Sequence, residues 1–177
     1  MKLAFDSNIF YRTIEDCRFS KNPGKCKRMK ELALASVSLG KVHGCVILPT
    51  VEKEVRRTWI EEIAPFCERK SVIDESKIES FVNKLIKRAE EDEKFLEVCT
   101  SQGRDRFERI YKAMKGDWRI LAESIENGAI LVTFDRNLTD PYCVRVYEEV
   151  AKDVGFEGEV KVVKPSELLK KVLEVER

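Results

Sequence analysis

The sequence predicts an α/β protein: a three-layer α/β/α arrangement around a central, mostly parallel sheet of four or five strands. Two observations support this fold class. Short apolar runs without polar alternation are typical of strands that are buried on both faces of a parallel sheet. These runs alternate along the chain with segments of helical periodicity, which is the order expected of an α/β domain.

Four segments are predicted as strands, and the last of them is the weakest. They cover residues 2–5, 45–48, 129–134 and 158–163. The first three are apolar runs that are each followed by polar or turn residues. Functional side chains are therefore expected just after these strands.

Five helices are predicted from apolar residues at helical spacing. The first ends where Gly40 stops the pattern, the second opens with a capping box formed by Ser76 and Glu79, and the last follows Pro165. They cover residues 27–39, 76–89, 104–115, 117–127 and 166–175. His43, beside Gly44, is expected in a loop.

The chain has 177 residues, a length that suits a single domain. Residues from about 65 to 115 are heavily charged, and they are predicted to be all helical. Because this region contains no Gly- or Ser-rich linker, we expect a helical insertion between strands two and three of one domain spanning residues 1–177. The apolar stripe of the helix that opens at Ser76 suits either internal packing or a homodimer interface, and the sequence leaves both open.

The charge is almost balanced, with 33 Lys and Arg against 32 Asp and Glu. This balance excludes a generic attraction of the whole surface to nucleic acid, so any polyanion must be bound by local patches. No apolar run approaches the roughly 20 residues needed to span a bilayer, and the N-terminal segment lacks the apolar core of a secretory signal. We therefore expect a cytoplasmic protein without membrane contacts.

The six cysteines include no C-x-x-C pair and no clustered histidine, which argues against a zinc site. Cys45 is expected to be a buried packing residue and the other five could be free thiols, although a disulfide between any pair stays open. Since His43 is the only histidine, a metal site must be built mainly from oxygen ligands.

Acidic residues follow the predicted strands. Asp6 and Asp135 stand directly after the first and third strands, and Asp117 begins the helix that leads into the third. Glu52 and Glu54 lie in the first turn after the second strand. In open α/β sheets, ligands bind outside the carboxyl ends of the strands, so these carboxylates are expected to converge there.

Each of these acids also has an ordinary structural alternative. Asp117 could be only a helix cap, Asp6 and Asp135 only turn formers, and Glu52 only a favourable first-turn residue. Four carboxylates together would repel one another, however, and a divalent cation such as Mg²⁺ or Mn²⁺ would relieve that repulsion. Such a site is suited to metal-assisted hydrolysis of a phosphodiester.

Four motifs resemble the ordered acidic motifs of the PIN-domain nuclease family. They are Asp6-Ser7-Asn8, Pro49-x-Val51-x-x-Glu54-Val55, Gly116-Asp117-x-x-Ile120-Leu121-Ala122 and Thr133-x-Asp135-x-x-Leu138. The resemblance covers nearly the whole chain, including Pro165-Ser166-Glu167 after the last strand. Periodicity alone does not choose between Glu52 and Glu54, because each lies three residues from a valine, but the family's spacing favours Glu54.

The resemblance implies a metal-dependent endoribonuclease that acts mainly on single-stranded RNA. It assigns Mg²⁺ or Mn²⁺ binding to Asp6, Glu54, Asp117 and Asp135, with Asn8 and Thr133 supporting them by hydrogen bonds. Family members include toxins, which pair with an antitoxin protein, and enzymes of RNA maturation or decay. The long charged insertion departs from the small toxin type.

Basic and aromatic residues near the first motif are candidates for RNA contact. The basic candidates are Arg18, Lys21, Lys25, Lys27, Arg28 and Lys30, which otherwise form a solvated loop and helix start. A weaker second group is Arg104, Arg106, Arg109, Lys112 and Lys115. Phe10, Tyr11 and Phe19 could stack on unpaired bases, although at least one of Phe10 and Tyr11 is expected in the core.

Two other function classes are compatible with parts of the pattern. A non-catalytic RNA-binding or scaffold module would have the same fold, but retention of all four acids disfavours it. An aspartyl-phosphate phosphatase or receiver-like domain would use Asp6 as nucleophile. Those folds usually carry a second acid near the first, where this chain has Phe5 and Asn8.

Overall fold

The computed structural model describes residues 1–69 and 73–175, and its centre is a four-stranded parallel sheet with surrounding helices. The strands are β1 (Leu3–Phe5), β2 (Cys45–Val46), β3 (Ile130–Val132) and β4 (Val162–Val163). Their spatial order is β2-β1-β3-β4, and every pair is parallel. The predicted α/β class and parallel central sheet are therefore confirmed.

The strands are shorter than predicted, and the end of β2 pairs with a residue outside the four strands. The N–H of Ile47 donates to the carbonyl of Glu68 at 2.8 Å, and the N–H of Glu68 donates to the carbonyl of Cys45 at 2.8 Å. Glu68 thus forms a parallel bridge beside β2. The prediction that residues 65–115 are all helical is wrong at its start, since residues 65–69 are not helical.

The described residues contain eleven α-helices and one short 3₁₀ helix, Cys17–Phe19. The α-helices are α1 (Ser7–Ile14), α2 (Pro23–His43), α3 (Pro49–Glu54), α4 (Arg57–Ile63), α5 (Glu75–Glu91), α6 (Glu93–Cys99), α7 (Arg106–Lys115), α8 (Asp117–Glu126), α9 (Arg136–Thr139), α10 (Pro141–Val154) and α11 (Pro165–Val175). No helix among the described residues is both long and apolar enough to cross a bilayer.

Helix α2 is longer than predicted at both ends. It begins at Pro23 because the side chain of Asn22 accepts a hydrogen bond from the N–H of Lys25 at 3.1 Å. It continues through Gly40, where an added Cβ would lie 2.8 Å from the Phe5 ring, so the glycine allows the helix to pack closely on β1. The helix ends before Gly44, whose φ is 97°, and the predicted loop residue His43 is its last residue.

Helix α5 begins differently from the prediction, but its apolar stripe is buried. Asp74 caps the helix by accepting from the N–H of Lys77 at 3.3 Å, so the predicted capping box at Ser76 and Glu79 is wrong. The stripe packs into the chain's own core and is not an exposed face: Ile78, Phe81, Val82, Leu85 and Ala89 are buried.

The six cysteines form three disulfides, Cys17–Cys26, Cys45–Cys67 and Cys99–Cys143. Cys45 is buried as predicted, but it is bonded to Cys67. The expectation of free thiols is wrong, because no cysteine in the described ranges is free. Each bridge joins segments whose proximity depends on the three-dimensional fold.

The carboxyl ends of β1 and β3 lie next to each other in the middle of the sheet. The chain passes from β1 to β2 on one side and then returns to β3 on the other, so the strand order reverses between β1 and β3. The N–H of Asp6 donates to the carbonyl of Val132 at 3.0 Å, which keeps the two strand ends in contact. Such a reversal is where open α/β sheets bind ligands.

Candidate functional site

Asp6 is a buried carboxylate, 4% exposed, at the junction between β1 and α1. It caps α1, since its Oδ1 accepts from the N–H of Ser7 at 2.7 Å. Its Oδ2 accepts from the hydroxyl of Thr133 at 2.7 Å and from the amide of Asn8 at 3.3 Å. The carboxylate is therefore held by both strand-end segments.

Thr133 connects the residues at this edge of the sheet. Besides donating to Asp6, its hydroxyl oxygen accepts from the amide of Asn8 at 3.1 Å and from the N–H of Asp135 at 3.0 Å. Asn8 in turn accepts from the N–H of Phe134 at 3.3 Å. These bonds fix the segment that follows β1 against the segment that follows β3.

Asp135 and Asp117 each stand at the start of a helix. Asp135 caps α9, accepting from the N–H of Asn137 at 2.9 Å. Asp117 is the first residue of α8, directly after Gly116. Burial raises the pKa of Asp117 to about 8, with further increases from the charges of Asp135, Asp6 and Glu54 and from a hydrogen bond to Asp135.

Glu54 is the last residue of α3, and its side chain points toward these aspartates. One of its carboxylate oxygens accepts a hydrogen bond from the hydroxyl of Ser7. The other lies against the start of α8, where a Cβ on Gly116 would be 3.2 Å away. Glu52 lies elsewhere: its carboxylate is 3.8 Å from the guanidinium of Arg69.

The four acids therefore influence one another. Burial raises the pKa of Asp6 to about 6, and the charges of Asp135 and Glu54 contribute, although the hydrogen bonds from Thr133 and Ser7 oppose the shift. We call Asp6, Glu54, Asp117 and Asp135 the carboxylate cluster. The structure brings together all four acids selected from the sequence.

The carboxylate cluster offers oxygen donors, which are the ligands that hard divalent cations prefer. Within the described residues, no three His, Cys, Asp or Glu side chains already form a group that could hold a metal ion. Mg²⁺ usually keeps several waters and needs only one or two direct carboxylate ligands. Oδ2 of Asp6 accepts two hydrogen bonds, whereas Oδ1 accepts one and has a second lone pair for a contact with a cation.

The predicted basic residues lie beyond the far end of α1. The Cys17–Cys26 disulfide encloses Arg18, Lys21 and Lys25, of which Lys25 already lies on α2, as do Lys27, Arg28 and Lys30. All except Lys30 are exposed. Arg18 forms an ion pair with Asp16 at 2.7 Å, and Lys30 donates to the carbonyl of Glu15 at 3.1 Å.

Most residues of the second basic group already interact with other residues of the protein. Glu108 pairs with Arg104 and Lys112, both at 2.9 Å, and Arg106 pairs with Glu93. Arg109 donates to Thr100 and to backbone carbonyls of α6. Lys115 lies over the ring of Tyr111. This arrangement is typical of packing between helices.

The three candidate aromatic residues differ in exposure. Phe10 is fully buried and packs against Phe5, so it belongs to the core. Tyr11 is 44% exposed and Phe19 is 85% exposed. Tyr11 and Phe19 are therefore the two that solvent, or a ligand, can reach.

Two further polar residues at the site, Ser7 and Glu123, could not be selected from the sequence. Ser7 lies in the first motif, but its bond to Glu54 depends on the approach of α1 and α3. Glu123 is fully buried in α8 and accepts hydrogen bonds from the N–H and hydroxyl of Thr50, at 2.9 and 2.7 Å. Its only sequence signal is an acidic residue between the apolar positions Ala122 and Ile125.

The chain matches no protein-family model, and no protein of curated function matches it significantly.

Proposed function

We propose that this protein is a metal-dependent endoribonuclease that resembles the PIN-domain nucleases. The observation that carries the proposal is the convergence of four carboxylates at the carboxyl ends of β1 and β3, in a chain that has one histidine. A cluster of oxygen donors suits Mg²⁺ or Mn²⁺. Its position, where the strand order reverses, is the usual ligand-binding edge of this kind of sheet.

The proposed roles follow from the hydrogen bonds. Asp6, Glu54, Asp117 and Asp135 hold the metal directly or through its bound waters, while Asn8 and Thr133 orient Asp6 and Asp135. When bound, the ion supplies activation of a water molecule and stabilisation of negative charge on the phosphodiester. Ser7 holds Glu54 toward the cluster, because its hydroxyl donates to the Glu54 carboxylate.

The finer architecture is part of the proposal. We propose a three-layer α/β/α domain spanning residues 1–177, with a helical insertion at about residues 65–115. One continuous cluster of buried apolar residues supports a single domain, since it includes Leu3 from the first strand, Phe81 from α5 and Leu168 from α11.

RNA is the proposed substrate, and its phosphates would meet the exposed basic residues around the Cys17–Cys26 loop. Lys21, Lys25, Lys27 and Arg28 are exposed and available for such contacts. Binding through lysines and arginines depends strongly on salt, because it releases counterions from the nucleic acid. The same activity would serve RNA maturation or decay, or a toxin that is held by an antitoxin.

The test is cleavage of labelled single-stranded RNA by the purified protein with Mn²⁺ and with EDTA. We expect cleavage only with Mn²⁺, and a loss of about 100-fold or more in Asp6→Asn, since even residues that only orient a metal ligand contribute 10- to 100-fold. A matched pair separates the two glutamates: Glu54→Gln should lose activity, while Glu52→Gln should not.

Three results would contradict the proposal. They are cleavage that persists in EDTA, unchanged activity in Asp6→Asn, and equal activities of Glu54→Gln and Glu52→Gln. Saturable RNA binding without cleavage under any divalent metal would instead indicate a non-catalytic RNA-binding module.

A further inference from the structure

Tyr11, Arg56 and Trp59 form a group beside the carboxylate cluster, which we call the aromatic shelf, and in it Tyr11 and Arg56 are exposed and Trp59 is half-buried. The rings of Tyr11 and Trp59 are 5.8 Å apart and nearly perpendicular, at 85°. The guanidinium of Arg56 lies over the Trp59 ring, 5.1 Å from its centroid. Trp59 thus touches both other members and packs against the core.

The aromatic shelf is attached directly to Glu54. The hydroxyl of Tyr11 donates to the backbone carbonyl of Glu54 at 2.8 Å. Ser7, which donates to the Glu54 carboxylate, lies four residues before Tyr11 on the same face of α1. Four residues of helix rise about 6 Å, so the aromatic shelf begins within about one helical turn of the carboxylate cluster.

Charge and exposure distinguish the aromatic shelf from an ordinary packed surface. Tyr11 is 44% exposed and Arg56 is exposed. Arg56 has no carboxylate partner among residues 1–69 and 73–175, whereas the adjacent Arg57 pairs with Glu61 at 2.9 Å. A planar guanidinium held on an aromatic ring, with its charge uncompensated, is well suited to contact a phosphate.

We propose that the aromatic shelf binds an unpaired nucleotide next to the bond that the carboxylate cluster cleaves. Tyr11 stacks on the base, Arg56 contacts the adjoining phosphate, and Trp59 holds both side chains in place. Aromatic side chains stack on single-stranded bases without regard to sequence, and a base inside a duplex cannot be reached in this way. The inference rests on the proposed function for its ligand, and it adds the element that selects single strands.

Trp59 provides a direct readout. The chain has two tryptophans, and Trp118 is fully buried. A saturable change in tryptophan fluorescence on adding a short oligouridylate in EDTA is therefore expected from Trp59, and it should be lost in Trp59→Phe, which leaves Trp118 in place. An abasic oligomer of the same length carries the same phosphates without bases, so it should bind about five-fold or more weakly if stacking contributes.

Two variants and two matched controls distinguish binding at the aromatic shelf from nonspecific electrostatic binding and from nonspecific binding to exposed aromatic rings. Tyr11→Leu and Arg56→Gln should each weaken oligouridylate binding about five-fold or more. The controls are Arg57→Gln, whose guanidinium is already paired, and Phe107→Leu, an exposed aromatic on α7. Both controls should bind like the wild type. Tyr11→Phe keeps the ring and should retain most of the affinity.

The outcomes also separate this inference from the proposed function. With Mn²⁺, Tyr11→Leu should have a KM about five-fold or more above that of Tyr11→Phe, which also lacks the hydroxyl bonded to Glu54, while the kcat values of these two variants differ less than about two-fold. Equal binding of abasic RNA, unchanged binding in Tyr11→Leu, or equal losses in the controls would overturn the inference even if cleavage is normal. Base-dependent binding at the aromatic shelf without cleavage would overturn the proposed function and leave the inference standing.

Discussion

Glu123 caps helix α3 from the middle of helix α8 by accepting two hydrogen bonds from Thr50. The N–H of Thr50 lies 2.9 Å from one carboxylate oxygen and its hydroxyl lies 2.7 Å from the other. The residue before α3 is Leu48, whose apolar side chain cannot cap it. Since α3 carries Glu54 and α8 carries Asp117, this contact sets the relative position of two members of the carboxylate cluster.

We expect Glu123→Ala to lower the free energy of unfolding by about 2–3 kcal/mol, because it leaves the buried N–H and hydroxyl of Thr50 without a charged acceptor. Glu123→Gln keeps one acceptor oxygen and should lose less. Chemical denaturation of the two variants measures the difference. An exposed glutamate of α5 provides the control, since Glu79→Ala should change the stability by no more than about 0.5 kcal/mol. Equal losses in Glu123→Ala and Glu79→Ala would contradict the capping role.

Thr133→Val tests the hydrogen bonds that orient the carboxylate cluster. The substitution keeps the shape of the side chain but removes the donor to Asp6 and the acceptor for Asn8 and Asp135. We expect the cleavage rate to fall about 10- to 100-fold, as for other groups that orient metal ligands. Thr133→Ser keeps the hydroxyl and should retain activity, and the exposed Thr58→Val serves as the control. A fully active Thr133→Val protein would contradict the orienting role.

The strand positions could be predicted because burial on both faces leaves a local signature, an apolar run such as that around Leu131. The positions of Asp6 and Asp135 could be predicted from the strands. Each residue comes directly after a strand, and the carboxyl ends of parallel strands lie at the same edge of the sheet. Local patterns were thus sufficient where each functional side chain is adjacent to the element that positions it.

The remaining features depend on contacts between distant parts of the chain. Gly40 was expected to end α2, but the Phe5 ring packs against it and the helix continues. Glu123 lies 73 residues from Thr50, and the Cys99–Cys143 bridge spans 44 residues. No local pattern encodes such a pairing. Periodicity also could not choose Glu54 over Glu52, because that choice depends on where Ser7 lies.

The pKa shifts predict that metal binding weakens as the pH falls from about 8 to 6. Asp117 has a pKa raised to about 8 by burial and its neighbours, and Asp6 has one raised to about 6. A proton therefore competes with the cation over this range. Calorimetric titration of Mn²⁺ into the protein should show the affinity decreasing toward lower pH, and in Asp117→Asn the decrease between pH 8 and 7 should be much smaller. A pH-independent affinity would contradict the proposed role of Asp117.

The same shift affects the stability of the metal-free protein. Because the folded pKa of Asp117 lies above its ordinary value of 3.8, the folded state retains a proton that the unfolded chain loses. The stability contribution of Asp117 is therefore lost as the pH rises from about 4 to about 8. Asp117→Asn should consequently gain stability over the wild type as the pH increases, and should be the more stable protein at pH 8 in EDTA. Urea denaturation at several pH values measures this difference, and a difference that does not change with pH would contradict it.

The disulfides should contribute to stability in the order of the loops that they close. The sequence separations are 9 residues for Cys17–Cys26, 22 for Cys45–Cys67 and 44 for Cys99–Cys143. Chain-entropy arguments give about 2.5 kcal/mol for the shortest loop and about 4 kcal/mol for the longest. Thermal unfolding of the three paired serine variants should therefore show the largest loss for Cys99→Ser/Cys143→Ser, which separates α6 from α10.

Thiol titration of the unfolded wild type provides the check on pairing: almost no reactive thiol is expected before reduction and six are expected after it. Reactive thiols before reduction, or equal losses in all three variants, would contradict this prediction.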